Sequence, residues 1–142
     1  MGKVISINIS EKRGIEKTSV SEVGVLVGWG LKGDAHGGDW DRQVSILPIE
    51  TEAKVPPEKK DEVLKGGYTE NFTIEGISPE KLSVGKRLRI GEAEVVILYI
   101  GKEQFKEQGR PYLVSREGRF GKVLKSGKVK NGDEVILLGE KL

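Results

Sequence analysis

The polar residues of this chain concentrate in one stretch, Leu31-Lys32-Gly33-Asp34-Ala35-His36-Gly37-Gly38-Asp39-Trp40-Asp41-Arg42-Gln43-Val44-Ser45. Three glycines surround its single histidine, and Arg42 follows six residues after His36, just ahead of a strand-like run. Glycine loops let backbone N–H groups come close to an anion. Arginine adds a planar fork that matches phosphate or carboxylate. Asp34 and His36 have the chemistry to hold a polar ligand by hydrogen bonds, or to bind a metal as part of a larger set. The same letters also fit a tight turn in which Asp bonds its own backbone, with a structural histidine beside it. Two phosphate-binding loops are excluded. Gly-Lys-Ser/Thr is missing at P-loop spacing, and no strand–GxGxxG–helix unit surrounds the glycines.

Two further polar clusters stand beside strand-like runs. Gly67-Tyr68-Thr69-Glu70-Asn71-Phe72 sets three polar side chains between a glycine stop and a strand, a suitable shelf for hydrogen bonds. Ser115-Arg116-Glu117-Gly118-Arg119-Phe120 sets two arginines beside a glycine. Ordinary turn structure accounts for each of them alone.

The elements that must carry these clusters are mostly strands. Val4 to Ser10 alternates with period two, the mark of a half-buried strand. Val20 to Trp29 is rich in Val and Gly and is interrupted by Gly24 and Gly28, which predicts bulges or close backbone approach. Val44 to Leu47 is a short strand stopped by Pro48, and strand character returns at Asn71 to Ile74. Pro57 to Lys65 reads as a helix ended by Gly66-Gly67, and Ser78-Pro79-Glu80-Lys81-Leu82 as one helical turn capped by Ser78. Strands follow at Arg87 to Ile90, Ala93 to Ile100, Phe120 to Leu124 and Glu134 to Leu138. Val84-Gly85-Lys86-Arg87-Leu88 and Asn131-Gly132-Asp133-Glu134-Val135 share one turn device. Short strands, frequent glycine turns and few helices predict a mainly β fold, a closed or nearly closed barrel with one or two short helices. No linker composition divides the 142 residues, so one domain over 1–142 is expected.

Composition narrows the function. With no cysteine, the chain has no disulfide, no zinc–thiolate site, no iron–sulfur ligand and no thiol nucleophile. No apolar run is long enough for a membrane-spanning helix, and no signal-peptide pattern opens the sequence, which leads us to expect a cytoplasmic protein. The net charge of +2 gives no argument for nucleic acid, and neither do the few aromatics. Nine cations against three carboxylates between Gly101 and Lys130 favour an anionic ligand or acidic partner locally, although a solvated lysine-rich surface has the same composition.

Taken in order, these pieces resemble the MOSC family, named for the C-terminal domain of molybdenum cofactor sulfurases. The resemblance rests on Gly30 to His36, Arg42-Gln43-Val44-Ser45, Glu50, Gly67 to Gly76 and Leu82 to Gly91. The tail Arg116 to Phe120 with Gly132-Asp133-Glu134-Val135 also fits. It implies a barrel-based β fold and a role around the molybdenum cofactor, a pterin with a phosphate tail and a dithiolene-bound metal. By that analogy Arg42 and the loop Gly33, Asp34, His36, Gly37 contact the anion. Thr69, Glu70 and Asn71 bond the pterin, and Arg116 closes the far side. Many family members carry a cysteine after a strand; the matching place, Gly101 to Phe105, holds Gln104 here. An amide carries no persulfide, so sulfur transfer by this protein's own thiol is excluded. The resemblance then implies binding or carriage of the cofactor. One alternative is a module docking on a cofactor-synthesis protein or molybdoenzyme. Another is a metal-dependent enzyme using Asp34, His36 and Glu70.

Overall fold

The computed structural model describes residues 2–10, 18–35, 37–54, 70–101 and 117–140. Its strands are β1 (Gly2–Ile9), β2 (Thr18–Ser19), β3 (Glu22–Leu26), β4 (Gly30–Leu31), β5 (Val44–Pro48) and β6 (Phe72–Glu75). They continue as β7 (Lys86–Ile90), β8 (Ala93–Ile100), β9 (Arg119–Lys125), β10 (Gly127–Lys130) and β11 (Glu134–Glu140). Seven of them close on themselves in the order β11, β7, β8, β9, β5, β6, β1, with β1 pairing back to β11. The closing contact pairs Gly2 with Val135 and Lys3 with Glu134. The expected barrel is thus observed, and closure removes the open edges that would invite aggregation. One barrel pair, β5 with β6, is parallel.

β-Branched residues dominate the interior, which includes Val4, Ile7, Val44, Ile46, Ile74, Ile90, Val95, Ile97, Val123 and Val135. Such side chains suit a pleated, half-buried wall. A smaller sheet, in the order β10, β3, β4, adds Val23, Val25, Leu31 and Val129 to the same core. That second sheet delivers the chain from β4 into the polar stretch, which then feeds β5.

Several local expectations need correction. Strict alternation in β1 would bury Ile5, Ile7 and Ile9. A bulge between Val4 and Ser6 shifts the phase instead, burying Val4 and Ile7 and leaving Ile5 39% exposed. The run Val20 to Trp29 holds one strand, β3, which ends at Leu26; the chain then turns with Gly28 at φ +81°, and β4 begins at Gly30. Pro48 belongs to β5, paired with Ile74, and a 3-10 segment Ile49–Lys54 follows it. The turn at Pro79–Lys81 forms, but Ser78 does not cap it: its hydroxyl bonds the Glu80 carboxylate instead. The helix expected over Pro57 to Lys65 lies outside the described residues.

The two similar turns do share one device. Gly85 and Gly132 sit at φ +95° and +88°, and a Cβ on either would meet no atom within 4 Å. Alanine there would therefore act through backbone strain alone. We expect Gly85→Ala and Gly132→Ala each to cost about 1 kcal/mol in denaturant unfolding, and asparagine at either position to cost less.

Candidate functional site

The polar stretch is organised by a buried hub just ahead of β6. Asn71, only 2% exposed, accepts hydrogen bonds at Oδ1 from Ser45 N (3.0 Å) and Ser45 Oγ (3.3 Å). Its Nδ2 donates to Asn8 O (3.1 Å) and to Asp34 Oδ2 (3.0 Å). An amide has two donor and two acceptor positions, so this side chain is saturated by the protein. Asp34, 1% exposed, also accepts from Ser10 N at Oδ1 (3.0 Å). Asn8 Nδ2 in turn donates to the backbone oxygen of Glu70 (3.1 Å), a residue that is itself 1% exposed. Together these bonds tie the ends of β1, β5 and β6 to the glycine loop.

The loop is held internally as well. The N–H groups of Asp34, Ala35, Gly37 and Gly38 donate to the carbonyls of Leu31, Ser10, Asp34 and Trp29. Those four amides are therefore engaged within the fold and do not form an open anion cradle. Gln43, fully buried, donates from Nε2 to Gly38 O (3.0 Å) and accepts at Oε1 from Val123 N (3.0 Å). It clamps the loop to β9. Gly30 lies so close to Gln43 that a Cβ would overlap the Gln43 carbonyl oxygen.

Arg42 is in a different situation. Its guanidinium carbon lies 4.5 Å from the ring centroid of Tyr99 and 4.5 Å from that of Phe120. Tyr99 and Phe120 are directly opposed across β8 and β9, and Phe120 opposes Ser45 on β5. Opposed residues share a face of the sheet. Val44, Ile46 and Ile97 belong to the interior cluster whereas these do not, so the arginine lies on the outer wall of the barrel. Among the described residues its one hydrogen bond is a long one, from Nη1 to Gly101 O (3.3 Å). Tyr99 donates its hydroxyl to Asp41 Oδ2 (2.9 Å), which steadies one of the two rings. Ring faces attract a guanidinium by about 0.5–2 kcal/mol without neutralising it.

Arg119 makes the opposite use of the same side chain. It is 4% exposed, and donates from Nε to Leu82 O (3.1 Å), from Nη2 to Pro79 O (2.9 Å) and from Nη1 to Glu117 O (2.6 Å). Burial pulls its pKa below the usual arginine range, with Glu117 acting against that. This residue pins the 79–82 turn to β9. Lysine offers no planar fork for three carbonyls, so Arg119→Lys should cost about 2–3 kcal/mol, read by denaturant unfolding.

The structure thus gathers Gly33, Asp34, Gly37, Arg42, Glu70 and Asn71 toward one end of the barrel, with Arg42 on its outer wall and Asp34, Glu70 and Asn71 buried. His36, Thr69, Gln104 and Arg116 lie outside the described residues. The residues that the sequence did not single out are Asn8 and Ser10, which fasten the hub, Tyr99 and Phe120, which flank Arg42, and Trp29, which lies against Gly37. Glu50, part of the matching pattern, is elsewhere. It accepts from Gly76 N (2.7 Å) beside a groove of about 500 Å³ that is also lined by Lys3, Glu75 and Glu134. Three carboxylates against one ammonium make that groove unsuitable for an anion.

No family model matches the chain, and no curated protein does. Solved structures do resemble it. YiiM from Geobacillus stearothermophilus is 18% identical, with 97% of this chain and 75% of that one covered and a TM-score of 0.68. YuaD from Bacillus subtilis is 18% identical over 95% of this chain and 94% of its own, with a TM-score of 0.68. YiiM from Escherichia coli is 21% identical over 98% and 71%, with a TM-score of 0.66. The likeness runs over nearly the whole chain and supports the MOSC-type fold that the sequence led us to expect. At such identities it speaks to the fold alone. No helix among the described residues is long and apolar enough to cross a membrane.

Proposed function

We propose that this chain binds the molybdenum cofactor, or its pterin precursor, through the phosphate tail, and does so without thiol-based sulfur transfer. The observation that carries this reading is Arg42. A guanidinium has five N–H donors, and here only one has an acceptor among the described residues, at 3.3 Å. No carboxylate there neutralises it, while two rings hold its plane in place. A fixed fork on an outer wall, with no carboxylate on it among the described residues, suits a bidentate phosphate.

The cofactor supplies its own metal and dithiolene; this chain, with no cysteine, adds no thiolate to them. Its residues bind and orient. In this reading Asp34 and Asn71 hold the loop and the barrel end in register beneath the ligand, a positioning role that replaces the direct contact expected from the resemblance. Gln43 keeps Gly38 and β9 together behind Arg42.

Arg42→Ala should weaken binding of a pterin phosphate by about 1.5–3 kcal/mol, measured by calorimetric titration. Arg42→Lys should fall between the two, since lysine retains the charge and loses the fork. An affinity that neither variant changes would remove Arg42 from the site and the proposal with it.

A further inference from the structure

Trp29 is a large aromatic residue that remains 41% exposed although its indole is anchored. Its Nε1–H donates to Leu31 O (3.0 Å), which fixes the ring's orientation. The ring also lies against Gly37 so closely that a Cβ there would overlap Cε2 and Nε1. An exposed aromatic held in two ways is a pre-organised surface, because little rotamer freedom is left to lose on binding. It is also well placed. Gly30 contacts Gln43 backbone to backbone, and Trp29 and Arg42 are the chain neighbours on either side of that contact. Gly38, whose N–H donates to Trp29 O (2.8 Å), is joined through its carbonyl to Gln43.

We infer that Trp29 is the stacking surface for the planar ring of a heteroaromatic phosphate whose anionic tail lies on Arg42. The inference rests on the reading of Arg42 given above and adds the residue that selects the ring. Aromatic rings stack on any flat π-face, so the pair would take a pterin phosphate or a nucleoside monophosphate.

The test is calorimetric titration of the wild type, Trp29→Leu, Trp29→Phe, Gly37→Ala and Arg42→Ala with three probes: 6-hydroxymethylpterin, guanosine monophosphate and inorganic phosphate. Hydroxymethylpterin should bind the wild type, weaken about tenfold in Trp29→Leu, and hold nearly full affinity in Trp29→Phe. Gly37→Ala should weaken it similarly, since the indole is retained but pushed aside. Phosphate should respond to Arg42→Ala alone. Guanosine monophosphate should also weaken in Trp29→Leu. Hydroxymethylpterin that binds more tightly than the nucleotide, although only the nucleotide carries a phosphate for Arg42, would support the pterin as the preferred ring. A nucleotide affinity that Trp29→Leu leaves unchanged would count against stacking. Hydroxymethylpterin that binds Trp29→Leu and Gly37→Ala as well as the wild type would overturn the inference. So would its failure to bind at all while phosphate still depends on Arg42, and that result would leave the Arg42 reading standing.

Discussion

Asn71→Ala is expected to destabilise the fold by about 3–5 kcal/mol in denaturant unfolding. The substitution takes the acceptor from Ser45 N–H and a donor from both Asn8 O and Asp34 Oδ2, all in a buried place. Each buried polar group deprived of its partner costs about 1–3 kcal/mol, and the Asp34 carboxylate is the most demanding of them. A domain has only about 5–15 kcal/mol in total, so the loss would be a large share of it. Asn71→Asp should be no better. It keeps Oδ1 but puts an oxygen where Nδ2 stood, 3.1 Å from Asn8 O and 3.0 Å from Asp34 Oδ2. Two acceptors would then face it with no proton between. An Asn71→Ala protein with a wild-type unfolding midpoint would show that the hub does not hold the barrel end together.

Gly121→Ala should be about as severe, for a steric reason. Gly121 lies within the sheet, with Val44 on β5 and Ile97 on β8 as register partners. A Cβ there would overlap the Val96 carbonyl oxygen and lie 2.8 Å from the Val96 carbonyl carbon and 3.3 Å from Ile97 Cα. All three atoms are backbone, so relief requires β8 and β9 to part. We expect a loss of about 3 kcal/mol or more and a fall in melting temperature of about 10 °C or more. Gly33→Ala makes the contrast. Its nearest atom would be the movable Ile9 Cδ1 at 3.7 Å, which leaves only the φ of +83° to resist, worth about 1 kcal/mol. A Gly121→Ala protein melting within about 2 °C of the wild type would refute the close approach of the two strands.

The parts of the fold that depend on local chemistry were legible in the sequence. Gly85 and Gly132 announce their turns because only residues without a Cβ accept those dihedral angles cheaply, and β8 is read to the residue from its apolar run. The bulge at Ile5 was hidden because alternation looks regular on paper; only pairing with β6 reveals the extra residue. The parallel partnership of β5 and β6 has no short-range signal either. The same limit governs the site. Arg42 stands out by type and position, yet its ring partner Tyr99 is 57 residues away by its number in the sequence. Asn71 looks like a ligand contact until its partners appear, and these lie 26, 37 and 63 residues away. Polar letters beside a strand therefore located the end of the barrel where the candidate site lies. Which of them are bonded within the protein was decided by tertiary contacts.

The most direct test of cofactor binding is anaerobic co-elution of the purified protein with released molybdenum cofactor, each fraction then being oxidised and read for pterin fluorescence. The account predicts pterin travelling with the wild type and absent from Arg42→Ala, with both proteins folded. Pterin that travels with neither protein, or equally with both, would contradict it.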